Sequence, residues 1–242
     1  MSLLVGILCS DGVVIASDSS RAGGAGGPAT AEQPVEKTRV VARDLVFAAT
    51  GPVGLGQRLE ATLGELREDS RFSEWQHMAI ARSISAEAMR DFASTRSDLA
   101  GFGALVAFRC ATGVHLCELT EGKLQPEFKG PESWFASMGR ARATAESLLG
   151  LVHRTLFADR RPSLAEGVFA AAWSLEHAMR LRPGRVQGPP QIAVLADDPA
   201  DPLCPARLLS HAEAADVLGK VRRVEEHLGQ VRGLLSEDEN RL

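Results

Sequence analysis

Apolar positions in the first 50 residues fall into two pairs of short runs. Leu3 to Leu8 and Val13 to Asp18 flank Cys9-Ser10-Asp11-Gly12, whose Asp-Gly step is a strong hairpin signal. Val35 to Ala42 and Leu45 to Thr50 flank Arg43-Asp44 in the same manner. The period then lengthens. Gly54 to Arg67 and Ser73 to Ser94 read as helices, the second opened by Ser73-Glu74-Trp75-Gln76, a capping-box pattern. Strand signals return at Phe102 to Arg109, Gly113 to Leu119, Lys123 to Phe128 and Trp134 to Ser137. Helices follow at Arg140 to Leu156 and Ser163 to Leu181. The latter has the capping box Ser163-Leu164-Ala165-Glu166, an apolar stripe Leu164, Val168, Ala172, Leu175, Met179, and a stop at Pro183-Gly184. Gln191 to Leu195 and Arg207 to Leu209 are closing strands, and residues 24 to 34 have the composition of a surface loop. Hairpins, a helix pair, hairpins and a second helix pair predict an α+β chain with antiparallel sheets packed face to face and helices outside.

Hairpin register then brings particular residues together. A turn about Ser10-Asp11 sets Leu8 opposite Val13 and places Ser2 and Leu3 opposite Ser19 and Asp18. A turn about Arg43-Asp44 sets Ala42 opposite Leu45 and Lys37 opposite Thr50, beside Gly51. Lys37 then shares a face with Val35 and Val41, where an ammonium is costly without an anionic partner.

Composition narrows the chemistry. The 242 residues carry 45% hydrophobic and 24% charged side chains, which excludes a disordered or low-complexity chain. A net charge of -4 and the absence of tyrosine argue against a nucleic-acid surface. Of 27 basic residues only four are lysine, Lys37, Lys123, Lys129 and Lys220, so one lysine stands in the first 122 residues. The longest apolar stretch, Leu99 to Phe108, is about half a membrane span, and the amino terminus lacks a basic segment before its apolar run. Cys9, Cys110, Cys117 and Cys204 have neither metal-ligand spacing nor disulfide density, so they read as reduced thiols of a cytoplasmic protein. Six histidines form no pair at zinc spacing, and the glycines at 23 to 27 are not followed by the Gly-Lys-Ser/Thr of a phosphate loop. No cofactor, metal, nucleic acid or membrane is therefore expected.

A hydroxyl at the extreme amino terminus, a buried lysine, a carboxylate and a backbone amide at a strand-helix junction are the parts of an N-terminal nucleophile site. The series Ser2-Leu3-Leu4-Val5-Gly6-Ile7, Asp11-Gly12-Val13-Val14-Ile15-Ala16-Ser17-Asp18-Ser19, Val35-Glu36-Lys37-Thr38 and Ala49-Thr50-Gly51-Pro52-Val53-Gly54 resembles the start of a proteasome β-type subunit. The motifs cover about the first quarter of the chain, and the element order agrees to about residue 210.

That resemblance implies a four-layer αββα sandwich, the N-terminal nucleophile hydrolase fold. Removal of Met1 would leave Ser2 as nucleophile and its α-amine as general base, with Lys37 lowering the hydroxyl's pKa, Asp18 holding Lys37 and the Gly51 amide donating to the oxyanion. Ala49 and Val53 would line the primary specificity pocket. The resemblance also implies an endopeptidase acting on unfolded polypeptides inside stacked double rings, seven-fold favoured over six-fold, fed by an ATP-dependent unfoldase. Two departures stand out: Met138 falls where the family has a serine in a Gly-Ser-Gly turn, and an aspartate and a serine that support the nucleophile are replaced around Pro183 and Val186. They keep open a self-assembling cage with little peptidase activity, and a small-amide hydrolase on the same sandwich.

The last 32 residues follow another rule. Val217, Val221, Val224, Leu228, Val231 and Leu235 recur at steps of four and three, a coiled-coil seam interrupted by Gly219, Gly229 and Gly233. Residues 211–242 are expected to be a helical extension beyond a 1–210 domain, formed only when docked on its own subunit or on a partner.

Overall fold

The computed structural model describes residues 2–19, 35–69, 72–158, 160–181, 188–198 and 204–230. The strands are β1 (Leu4–Cys9), β2 (Gly12–Ser17), β3 (Thr38–Ala42), β4 (Leu45–Thr50), β5 (Gly103–Cys110), β6 (Gly113–Leu119), β7 (Pro126–Phe128), β8 (Phe135–Met138), β9 (Gln191–Ala196) and β10 (Arg207–Leu208). The helices are α1 (Val53–Glu68), α2 (His77–Ser94), α3 (Arg142–Leu156), α4 (Leu164–Leu181) and α5 (His211–Gln230). Two five-stranded antiparallel sheets, ordered β10-β9-β2-β1-β8 and β3-β4-β5-β6-β7, pack face to face.

Alternation along the strands builds three apolar layers. Leu3, Val5 and Ile7 face α3 and α4, while Leu4 and Leu8 face the other sheet. In β5, Leu105 and Ala107 meet them between the sheets, while Ala104, Val106 and Phe108 pack under α1 and α2. Both faces of these strands are covered, so they read as nearly continuous apolar runs. The result is the expected four-layer αββα sandwich.

The β1–β2 register agrees with expectation: Leu8 pairs with Val13 and Leu4 with Ser17. The β3–β4 register differs. Ala42 pairs with Leu45, but a bulge between Val40 and Ala42 adds a residue, so that Val40 pairs with Val46 and Thr38 with Ala48. Lys37 consequently lies level with Ala49, whose N–H donates to the Lys37 carbonyl at 3.3 Å, instead of with Thr50.

Two helix starts also differ in outcome. The Ser163 box forms: Glu166 N–H donates to Ser163 Oγ at 3.4 Å and Ser163 N–H to Glu166 Oε2 at 2.8 Å. The segment at Ser73 does not open a helix. Residues Phe72–Glu74 make a 3-10 turn that buries Phe72 against Phe108, and α2 begins only at His77. Helix α5 packs on its own subunit: Val221 is fully buried beside α4, Val217 and Val224 pack around it, and Trp173 Nε1 donates to Glu225 at 2.9 Å. Leu228 is exposed, and Val231 and Leu235 lie outside the described residues. So do the expected loop at 24 to 34 and the positions Pro183 and Val186.

Candidate active site

The site forms where the amino-terminal end of β1 meets the ends of β2 and β4. Just ahead of β1, Leu3 N–H donates to Asp18 Oδ1 at 2.9 Å, and Asp18 N–H returns a bond to the Leu3 carbonyl at 3.3 Å. These two contacts continue the hairpin ladder one step and lock Asp18 beside the residue that follows Ser2. Asp18 is fully buried, a placement that requires a cation or several donors. Lys37 supplies the cation: its Nζ donates to the same Oδ1 at 2.8 Å, and its side chain is only 9% exposed. Burial pushes the Lys37 ammonium below the ordinary lysine range, and the charge and hydrogen bond of Asp18 offset this only in part.

Ser2 is half-buried, and its Oγ shares a short hydrogen bond with Thr50 Oγ1. Gly51 follows at the strand-helix junction with φ +98°, and a side chain there would press on the backbone of Gly101 and Phe102. Ala49, half-buried, packs toward α1 and α2 one residue before Thr50; Val53 opens α1. Ser2, Asp18, Lys37 and the Thr50–Gly51 junction are thus linked by contacts or chain adjacency, with Ala49 and Val53 on either side of the junction.

On the opposite side of Ser2 lies Gly139, at φ +90°, so close that a Cβ would collide with the Ser2 carbonyl oxygen. Its N–H donates to Glu121 Oε1 at 3.0 Å. Met138, set by resemblance at the supporting serine, is turned into the layer between the sheets and pairs with Leu4. The residue against Ser2 is therefore Gly139, which carries no hydroxyl.

Two further residues belong to the site and were not singled out from sequence. Thr50 reads there as an ordinary strand-end residue; the signal was its place directly before Gly51. Gln191, the first residue of β9, accepts from Lys37 N–H at 2.7 Å and Thr38 N–H at 3.1 Å and donates to the Val35 carbonyl at 2.9 Å. It lies 154 residues from Lys37, and local pattern has no means of joining them. Among the described residues no group of three or more His, Cys, Asp or Glu side chains is arranged to hold a metal ion, and no helix is long and apolar enough to cross a membrane.

The fold is an α+β sandwich of two antiparallel five-stranded sheets with helices on both outer faces. Among solved structures, a glycine mutant of Anbu from Hyphomicrobium sp. strain MC1 superposes with a TM-score of 0.74 at 14% identity, over 96% of this chain and 97% of that one. Anbu from the same strain gives 0.69 at 13% identity, and Anbu from Yersinia bercovieri, described as an ancestral beta-subunit, gives 0.68 at 14%, both with the same coverage. No protein-family model and no curated protein matches the sequence. At these identities the likeness establishes the fold.

Proposed function

We propose that the chain is a proteasome-like N-terminal serine hydrolase that cuts unfolded polypeptides inside a ring-shaped assembly after Met1 is removed. The observation that carries the reading is the buried Asp18, which through one oxygen binds Lys37 and the amide of Leu3, one residue along the chain from half-buried Ser2. A buried, partly desolvated ammonium is a poor device for stability and a useful one for chemistry.

The reaction runs as follows in this proposal. The Ser2 α-amine takes the Oγ proton as Oγ attacks the scissile carbonyl, and the tetrahedral oxyanion accepts from Gly51 N–H. Lys37, anchored by Asp18, sets positive charge beside the nucleophilic oxygen, and Thr50 orients the hydroxyl. Collapse breaks the C–N bond, and the protonated α-amine gives its proton to the leaving amine. Water, deprotonated by the same amine, then hydrolyses the Ser2 ester and releases the acid. Ala49 and Val53 line the pocket for the residue preceding the cut.

The proposed assembly is a stacked double ring, seven-fold preferred over six-fold, in the cytoplasm and supplied by an ATP-dependent unfoldase. Native mass spectrometry reads the subunit count. Turnover of an unfolded polypeptide that is lost in Ser2→Ala supports the hydrolase; no turnover by assembled protein lacking Met1 refutes it. A second reading, a cage without catalysis, draws on Gly139, which gives Ser2 no neighbouring hydroxyl from β8. The same turnover assay decides between them.

A further inference from the structure

We infer that Gln191 is a positioning residue for the nucleophile site: its side-chain amide crosses from one sheet to the other and fixes where Lys37 stands relative to Asp18. This inference rests on the proposed role of Ser2 and Lys37, and it reaches a residue that the resemblance does not mark. The geometry is specific. Gln191 pairs with Ser17 across the β2–β9 ladder, and Ser17 immediately precedes Asp18. Its Oε1 accepts from the backbone of Lys37 and Thr38, and its Nε2 donates to Val35, so both ends of the amide grip the segment that leads into β3. Ser17 Oγ adds a bond to Thr38 Oγ1 at 2.8 Å and a longer one to Gln191 Oε1 at 3.4 Å. One amide therefore touches the neighbours of both members of the Asp18–Lys37 pair.

The clamp is needed because β3 is an edge strand and Lys37 precedes it. Lys37 keeps one contact to β4 through its carbonyl, whereas its N–H turns to Gln191. Without Oε1, two adjacent backbone donors would need other acceptors, and the segment would lose its tie to the sheet that carries Asp18. A mere inter-sheet staple would affect melting alone; a positioning residue must also move the titration of Lys37.

The scarcity of lysine makes the test direct. Carbon-13 labelling at lysine Cε gives the full-length protein four side-chain signals, and Lys37→Met assigns the one from Lys37. In Gln191→Leu the Lys37 midpoint is expected to rise by about half a unit or more toward the ordinary lysine value, as water reaches the ammonium. Labelling of Ser2 by an electrophilic peptide should slow at least about tenfold in the same variant. Should Gln191→Leu fail to melt cooperatively, Gln191→Asn withdraws the amide by one methylene and carries the same expectation. A Lys37 midpoint and Ser2 labelling rate unchanged from wild type in the folded variant overturn the inference. Absence of labelling in wild type itself would instead defeat the nucleophile reading, while the Lys37 titration would still decide the role of Gln191.

Discussion

Two of the four lysines are buried against carboxylates, and they behave oppositely. Lys129, 6% exposed, lies between Glu118 at 2.8 Å and Glu127 at 2.6 Å. Burial alone would lower its pKa, but the two carboxylates more than offset burial and hold the ammonium above the ordinary lysine value. Lys37 is about as buried and has Asp18, whose contact leaves the balance on the side of desolvation. The outer pair is an ion cluster at the β6–β7 edge of the sandwich. The inner pair is joined to Ser2 through the amide of Leu3, one residue along the chain, which donates to Asp18. Two carboxylates hold the Lys129 ammonium above the ordinary value, whereas Asp18 offsets the burial of Lys37 only in part.

The largest effect expected is on Ser2. Ser2→Ala should reduce peptide hydrolysis at least about 1,000-fold with the fold intact, while Lys129→Met leaves the rate per folded molecule unchanged, as read by turnover normalised to circular dichroism. Next come the two lysine deletions compared by denaturant melts. Lys37→Met removes the ammonium that bonds buried Asp18 and is expected to cost about 3–5 kcal/mol. Lys129→Met should cost less, about 1–3 kcal/mol, because Glu127 is largely exposed. Equal costs would erase the distinction between the pairs.

Alkaline pH sharpens the same contrast. The lowered Lys37 pKa means that its ammonium is lost at a lower pH than that of an ordinary lysine, so the alkaline limb of the hydrolysis profile should fall below pH 10.5. Lys129 has the opposite sign: its stabilisation is full below 10.5 and is lost only as pH rises through its elevated folded value. A hydrolysis profile flat to pH 10.5 would contradict the assignment of Lys37. Thr50→Val, which removes the hydroxyl and preserves shape, should slow acylation by about 10- to 100-fold, with Thr50→Ser restoring most of it. The smallest effect lies far from the site. Glu166, pulled down to about 2 by Arg160 and the Ser163 amide, contributes stability that is present above 4.5 and lost as pH falls toward 2. Glu166→Gln should cost about 0.5–2 kcal/mol at neutral pH and progressively less as pH falls through about 2.

Much of the candidate site is legible in the amino-acid sequence. The Asp11-Gly12 turn determines which residues of β1 and β2 face each other, so Asp18 falls beside Leu3 by counting. Lys37 was one residue out because the bulge at Val41 has no glycine or proline to announce it. Ser163 and Glu166 formed their box as the pattern implied. Ser210 and Glu213 form the same box at the start of α5, and their Ser-x-x-Glu spacing could have been read in the same way. The segment at Ser73 instead forms a 3-10 turn with Phe72 buried, and α2 opens at His77. Thr50 and Gln191 are hidden for another reason: each bonds from one sheet to the other, and their own neighbourhoods look like ordinary strand ends.

The central claim is that Ser2 is a free-standing amino-terminal nucleophile activated beside Asp18 and Lys37. Intact-mass measurement of the assembled protein before and after an electrophilic peptide inhibitor, with the adduct mapped by fragmentation, tests it most directly. The account predicts a chain lacking Met1 that gains one inhibitor mass at Ser2, and no gain in Ser2→Ala. A chain that retains Met1, or one that lacks Met1 and takes up no inhibitor at Ser2, would contradict it.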